Sequence, residues 1–266
     1  PILDSLRRPF HSKTLVRWNT SMHVGAVDRI PWAHDFRFMK SGSLKIGHAI
    51  GQFLEANSTY EVYKNGGSFP TANYHPQSLL LNTGAVANAA VFLMSSSTGS
   101  YGNYEFNSPA YTGTTNGVNQ NITVNNFTLT DDGVGTWVFS TSTVTPYTFN
   151  VNGNLNQAVN TTIDINRAAS GSQATTLLIK GNVNSSGIIT ETNNNTGAVI
   201  ELGGTNPSNF NVAGTTLNND VSLVVNKSPG VNIICDNTIL TNSINAKLVL
   251  TSGNLDVLTN DKPIFV

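Results

Sequence analysis

The sequence predicts an all-β chain wound as a parallel β-helix, that is, a β-solenoid, expected to be right-handed. Three observations predict it. Short phrases alternate apolar with polar residues, similar phrases recur at spacings in the twenties, and Asn, Thr, Ser and Gly stand where charge would ordinarily be. Only 11% of the 266 residues are charged, against ~25% in an average globular chain, while 39% are hydrophobic and the formal net charge is −1. That length fits one large all-β domain or two small ones, and either can bury a real core. Disorder is excluded, because disordered chains have few β-branched residues and much net charge.

The balance of charge also narrows the partners. A near-neutral chain is a poor nucleic-acid binder, since neutralising phosphates takes clustered Lys and Arg. No run of ~18 apolar residues is present, so no membrane insertion is expected. Cys235 is the only cysteine, which excludes an internal disulfide and a cysteine-rich zinc module. The chain opens at Pro1 without Met and without a signal-peptide pattern, and is read as a mature form or an internal fragment.

Charge is distributed unevenly. Up to Lys64 nine bases face five acids, a balance of +4, whereas beyond it five bases face ten acids, a balance of −5. His11, His23, His34, His48, Trp18 and Trp32 also fall in the first fifty residues. Residues 1–35 hold Pro9 and Pro31 and show neither sustained alternation nor a helical stripe. They read as an irregular N-terminal segment, a cap or a linker, and residues 36–266 as solenoid repeats, part of a longer rod.

From Phe36 the chain echoes itself. FRFMKSGSLKIG (Phe36 to Gly47) resembles KLVLTSGNLDVL (Lys247 to Leu258), which sets Ser41-Gly42 against Ser252-Gly253, Leu44 against Leu255 and Ile46 against Val257. EANSTYEV (Glu55 to Val62) and VNKSPGVNI (Val225 to Ile233) share one theme, an apolar run, a small polar turn and a second alternating run. ITVNNFTLT, FNVNGNLNQ and IKGNVNSSG form another group, whose Asn126, Asn154 and Asn182 lie 28 residues apart. Gly230 and Gly253 lie 23 apart. Each phrase supplies three to five strand residues, too little apolar surface to offset the entropy of ordering one strand alone. Stacking the next coil's strand ~4.8 Å away completes its hydrogen bonds and extends one core. Asn and Gly tolerate the left-handed backbone of the corners, and Asn can hydrogen-bond its equivalent one coil above. About nine turns, rising roughly 40 Å, would take up the repeats at ~25 residues per turn. An antiparallel sandwich is the alternative, since Asn65-Gly66, Asn116-Gly117, Asn152-Gly153 and Asp132-Gly133 are also hairpin signals.

The stretch STYEVYKNGGSFPTANYHPQS (Ser58 to Ser78) resembles a segment of secreted and cell-surface Bacteroidota repeat proteins. There a strand ending in an aromatic is followed by Asn-Gly-Gly, a hydrophobic residue, and Pro-Thr-Ala plus an aromatic. Asn65, Gly66, Gly67, Phe69, Pro70, Thr71, Ala72 and Tyr74 fit that order. YGNYEFNSP, FNVNGNLN, IKGNVNSSGIITE, VIELGGT, VSLVVNKSPGV and LVLTSGNLDV continue the likeness to the end of the chain. The resemblance implies a parallel β-helix, an adhesin-like role and export by type IX secretion. The C-terminal sorting domain typical of such proteins is not visible, and residues 1–35 fall outside the likeness.

Chemistry is sparse. A polysaccharide lyase or hydrolase needs clustered carboxylates or a carboxylate with Arg or Lys. Asp131, Asp132, Asp164, Glu191, Glu201, Asp220, Asp236 and Asp256 are isolated in sequence, and Arg167 is the lone Arg of the later region. Asp131-Asp132-Gly133 reads as a turn, with a calcium or sugar contact as the alternative. Glu191 and Glu201 flank the TNNNTG corner and read as solvated carboxylates, or as a pair meeting across a coil. His23, Asp28, His34 and Asp35 match no metal-ligand spacing, so neither a metal nor a cofactor is expected. GGxGxDx, P-loop, GxSxG and Cys–His signatures are missing. Cys235 reads as a buried thiol, and Trp137 in GTWVFS as core before a sugar platform. The Asn-X-Ser/Thr triplets at Asn57, Asn121, Asn126, Asn160, Asn184 and Asn194 follow from composition and predict no glycan.

Tyr60, Tyr63, Tyr74, Tyr101 and Tyr104, with Phe69 and Tyr111, gather amid Gly, Asn and Ser. They are the candidate ligand-binding residues, because exposed Tyr among polar neighbours makes carbohydrate and protein contact surfaces. The competing reading is that they fill wider early coils. Lys262-Pro263-Ile264-Phe265-Val266 is apolar and uncapped, which predicts a continuing solenoid or end-to-end self-association. The function expected is therefore a non-catalytic structural or adhesive segment of an extracellular or cell-surface β-solenoid, with a glycan or protein surface as partner. A carbohydrate-active β-helix enzyme and a self-assembling fibre subunit are the alternatives.

Overall fold

Alternation of period two puts every second side chain on one side of a strand, and a chain of such strands closes a core only by stacking. The computed structural model shows this stack. It describes residues 23–24, 35–39, 45–46 and, from 53 to 257, all but 55, 64–68, 70–71, 87–93, 95–98, 116, 169–174, 193–196, 213–215, 218 and 235–244. Every strand pair among the described residues is parallel, and no helix occurs among them. The antiparallel alternative is therefore excluded. Asn152-Gly153 and Asp132-Gly133 lie at corners of coils rather than in hairpins, Asn152-Gly153 between Thr148–Val151 and Leu155–Gln157.

The chain is an all-β solenoid of about six turns built on three sheets. The first full turn runs through Ile122–Val124, Phe127–Asp131 and Trp137–Ser140, one strand for each sheet. Turns through Thr148–Val151, Thr175–Ile179, Ala198–Leu202, Val221–Asn226 and Leu248–Ser252 follow on the six-stranded sheet. The long sheet has ten strands and extends toward the N-terminus through Asn103–Asn107, Leu79–Asn82, Thr59–Tyr63 and Asp35–Met39. The full turns thus number about six and not the expected nine; the four early strands of the long sheet belong to coils that return through segments adding no described strand to the other two sheets. The early segment is not wholly irregular either, for His23–Val24 pairs in parallel with Lys45–Ile46.

Register shows how the core is made. Tyr104, Phe127, Leu155, Val183, Phe210 and Ile233 stack in one inward column of the long sheet. Ile122, Phe149, Leu177, Ile200 and Leu223 stack on the six-stranded sheet, and Trp137, Ile163, Ile189 and Leu217 on the four-stranded one. All are buried, each worth roughly 1.5–3 kcal/mol of transfer free energy. The three columns meet in an aromatic knot, where Phe127 lies 5.0 Å from Trp137, Trp137 4.7 Å from Phe139 and Phe139 4.4 Å from Phe149. Trp137 is accordingly core.

The 28-residue spacing is a corner ladder. Asn126 Oδ1 accepts the Asn154 backbone N–H at 2.7 Å, Asn154 Oδ1 accepts that of Asn182 at 2.8 Å, and Asn182 Oδ1 accepts that of Asn209 at 2.9 Å. Asn57, Asn119, Asn160 and Asn219 take the left-handed backbone expected of Asn at corners. Gly181 is needed for close approach, since a Cβ there would lie 2.4 Å from the Gly153 carbonyl oxygen. One sequence echo misleads. Asp35–Met39 belongs to the long sheet, with Leu255–Val257, whereas Leu248–Ser252 belongs to the six-stranded sheet. Small polar turns join strand to strand at several described corners, so the phrase alone does not say which corner it is.

Candidate functional site on the long sheet

The outward face of the long sheet carries what the inward face leaves over. Thr128 pairs in register with Asn156, Asn156 with Asn184 and Asn184 with Asn211, so one polar side chain per coil stands in a row at the ~4.8 Å strand spacing. Beside this row Thr130, Ala158 and Ser186 border a groove of about 310 Å³, closed below by Leu129, Gln157 and Ser185. None of the ten lining residues is ionisable.

The groove exists because the strands Leu155–Gln157 and Val183–Ser185 stop after three residues and turn. The turn is held from inside. Gln157 Nε2 donates to the carbonyls of Thr161 at 3.1 Å and Ile188 at 2.9 Å, and its Oε1 accepts the Ser185 hydroxyl at 2.7 Å. On the outside Asn184 Nδ2 donates to Asn156 Oδ1 at 3.0 Å, which fixes both carboxamides. Thr130 donates to Glu105 Oε1 at 2.8 Å on the coil below. Sequence reasoning missed these residues, although the 28-residue spacing that marks Asn126, Asn154 and Asn182 recurs two residues later at Thr128, Asn156 and Asn184.

The tyrosines lie elsewhere. Tyr74, Tyr101 and Tyr104 are buried, with Tyr74 4.8 Å from Tyr101 and Tyr104 stacked 5.6 Å from Phe127. Tyr60 is half-buried and packs edge-on against Phe69 at 6.0 Å. The side chain of Tyr63 lies outside the described residues. The expected surface of exposed tyrosines is therefore not what Tyr74, Tyr101 and Tyr104 make; they fill the early coils.

The acids are more buried than their sequence suggests. Glu191 is fully buried rather than solvated, while Glu201 points outward and accepts from Asn226 Nδ2 at 3.0 Å. The Asp131-Asp132-Gly133 turn forms, with Asp131 Oδ1 accepting the Gly133 N–H at 2.8 Å. Asp132 is buried and accepts the Thr162 N–H at 2.9 Å; burial pushes its carboxyl up to about 6. Burial also raises Asp164, against the Thr192 hydroxyl that donates to it and the charge of Arg167. Arg167 Nη1 donates to Thr114 Oγ1 at 2.7 Å. Among the described residues no three of His, Cys, Asp and Glu are placed to hold a metal ion. Cys235, Asp236, His11, Asp28, His34 and 262–266 lie outside the described residues.

These features define a parallel β-solenoid with a neutral polar groove along one sheet. Comparison with protein-family models, with curated proteins and with solved structures gave no match, so the functional reading rests on geometry.

Proposed function

We propose that the chain is a non-catalytic structural and adhesive segment of an extracellular, cell-surface solenoid. The observation that carries this reading is the neutral outward row on a continuously hydrogen-bonded stack, Thr128, Asn156, Asn184 and Asn211. It offers hydrogen bonds in a repeating array, and the groove lining holds no acid or base with which to cleave a bond; the neighbouring carboxylate, Glu105 on the coil below, accepts from the Thr130 hydroxyl. The phrases of Ser58 to Ser78, with their likeness to Bacteroidota surface proteins, support the location and the type IX route. The test is a screen of neutral and acidic polysaccharides for both retention and product release. Retention without new reducing ends is expected, and turnover of any of them overturns the reading.

A second reading, end-to-end self-association into a fibre, draws on one observation. The inward column Val124, Val151, Ile179, Leu202 and Val225 is buried, but its next member, Leu250, is 56% exposed. Light scattering that grows with concentration would favour it, and a constant monomer mass would remove it.

A further inference from the structure

We infer that the groove on the long sheet binds an uncharged, hydroxyl-rich polymer, a neutral polysaccharide, laid along the stack so that successive sugars meet successive coils. The inference deepens the adhesive reading and rests on it.

Four features point to this ligand. The lining carries hydroxyl and carboxamide groups only among its polar side chains, from Thr128, Thr130, Asn156, Gln157, Asn184, Ser185, Ser186 and Asn211. A polyanion would find no cation there to replace its counterions. Next, the groups left over are of both kinds. Asn184 has committed its amide to Asn156, which leaves its own Oδ1 as an acceptor and the Asn156 Nδ2 as a donor. Among the described residues the hydroxyls of Thr128 and Ser186 have no partner. A sugar hydroxyl both donates and accepts, and so satisfies either kind.

The spacing fits as well. The row repeats at the ~4.8 Å strand separation, close to the advance per residue of an extended pyranose chain. Four coils would then meet about four sugars, and weak contacts summed along one chain give useful affinity. Finally, the site is rigid before binding. Gln157 brackets the turn from inside and Asn184–Asn156 locks the outer row, so little ordering cost remains. A protein strand adding to a sheet needs an open edge, and this is a face.

The experiment uses the full chain in affinity electrophoresis and calorimetry. The probes are a neutral β-glucan, a galactomannan, a xylan and, as the polyanion, polygalacturonate. A neutral polymer is expected to retard the protein regardless of added salt, with affinity rising from the disaccharide to about the tetrasaccharide and then levelling. Thr128→Ala combined with Asn156→Ala and Asn184→Ala should weaken binding at least tenfold. Asn150→Ala, on the outward face of the six-stranded sheet, should not. Should the triple variant fail to fold, as read by circular dichroism, Ser186→Trp fills the groove from an exposed corner and serves instead. Binding to a neutral polymer that is unchanged by the groove variants overturns this inference and leaves the adhesive reading standing. Binding confined to polygalacturonate and lost in salt, or no retardation by any probe, also overturns it. Release of reducing ends would instead remove the non-catalytic reading.

Discussion

Two sets of corners join the six-stranded sheet to the long sheet, and they solve one problem differently. At Asn125-Asn126, Asn152 to Asn154 and Lys180 to Asn182 the turn takes two or three residues. There each coil's backbone N–H lies over the coil below, where a carboxamide oxygen receives it, and the ladder ends on the Asn209 N–H just past the first wider corner. After Leu202 the corner widens to five residues, and after Asn226 to four. The carbonyls of Lys180, in the last of the tight corners, and of Asn206, in the first wider one, face inward, and a buried carbonyl needs a donor. Lys227 supplies it. The side chain is fully buried, and Nζ donates to the carbonyls of Lys180 at 2.7 Å and Asn206 at 2.8 Å, which ties three successive coils together. Burial holds its ammonium below the usual lysine range. The difference teaches that the stack tolerates loop insertion wherever one long donor can span the gap.

Breaking the lysine corner has the largest expected effect. Lys227→Met keeps the apolar stem and leaves two inward carbonyls without a donor, an expected loss of about 3 kcal/mol. Urea unfolding followed by far-UV circular dichroism checks it; an unchanged midpoint would show that water replaces the ammonium. Asn154→Ala removes one rung from the tight corner, the acceptor of the Asn182 N–H, and should cost about 1 kcal/mol. The same measurement compares the two directly. If the asparagine proves the costlier, the ladder and not the lysine is the principal tie between coils.

The contrast also marks what could be read from the sequence. Asn126, Asn154 and Asn182 were legible as a period because the same bond, a carboxamide oxygen to an N–H one coil above, recurs at each corner and takes the same residue type. Lys227 was not, since KSPG looks like any solvated turn until the widened corner beneath it is known. The tyrosines failed for a different reason. Tyr104 stands in Asn103–Asn107, where Asn103 and Glu105 face out while Tyr104 and Phe106 face in. Composition averages the two faces of a strand, so polar neighbours say nothing about the side chain between them. The same averaging hid the groove, whose Thr128, Asn156 and Asn184 are separated by residues of the core. Glu191 reads from its phrase as solvated because its burial depends on the packing of adjacent coils, which no local phrase encodes.

The smallest expected effect sharpens the comparison by moving to the corner between the long and four-stranded sheets, where carboxyls replace the lysine. Asp132 bridges coils through the Thr162 N–H, but burial raises its pKa from 3.8 to about 6. A carboxyl whose folded pKa lies above its unfolded one holds its proton more tightly in the folded state. Stability therefore rises as pH falls through about 6 and levels off below about 3.8. Asp164 is shifted in the same direction. From pH 7 to pH 5 the gain from Asp132 is at most about 1 kcal/mol once solvent screening is allowed for. Thermal midpoints measured across that range should climb in the native chain, and Asp132→Asn should flatten the climb. A midpoint that falls toward pH 5 would mean that the Thr162 bond favours the carboxylate more than burial disfavours it, and this corner would then be held by charge, as the Lys227 corner is.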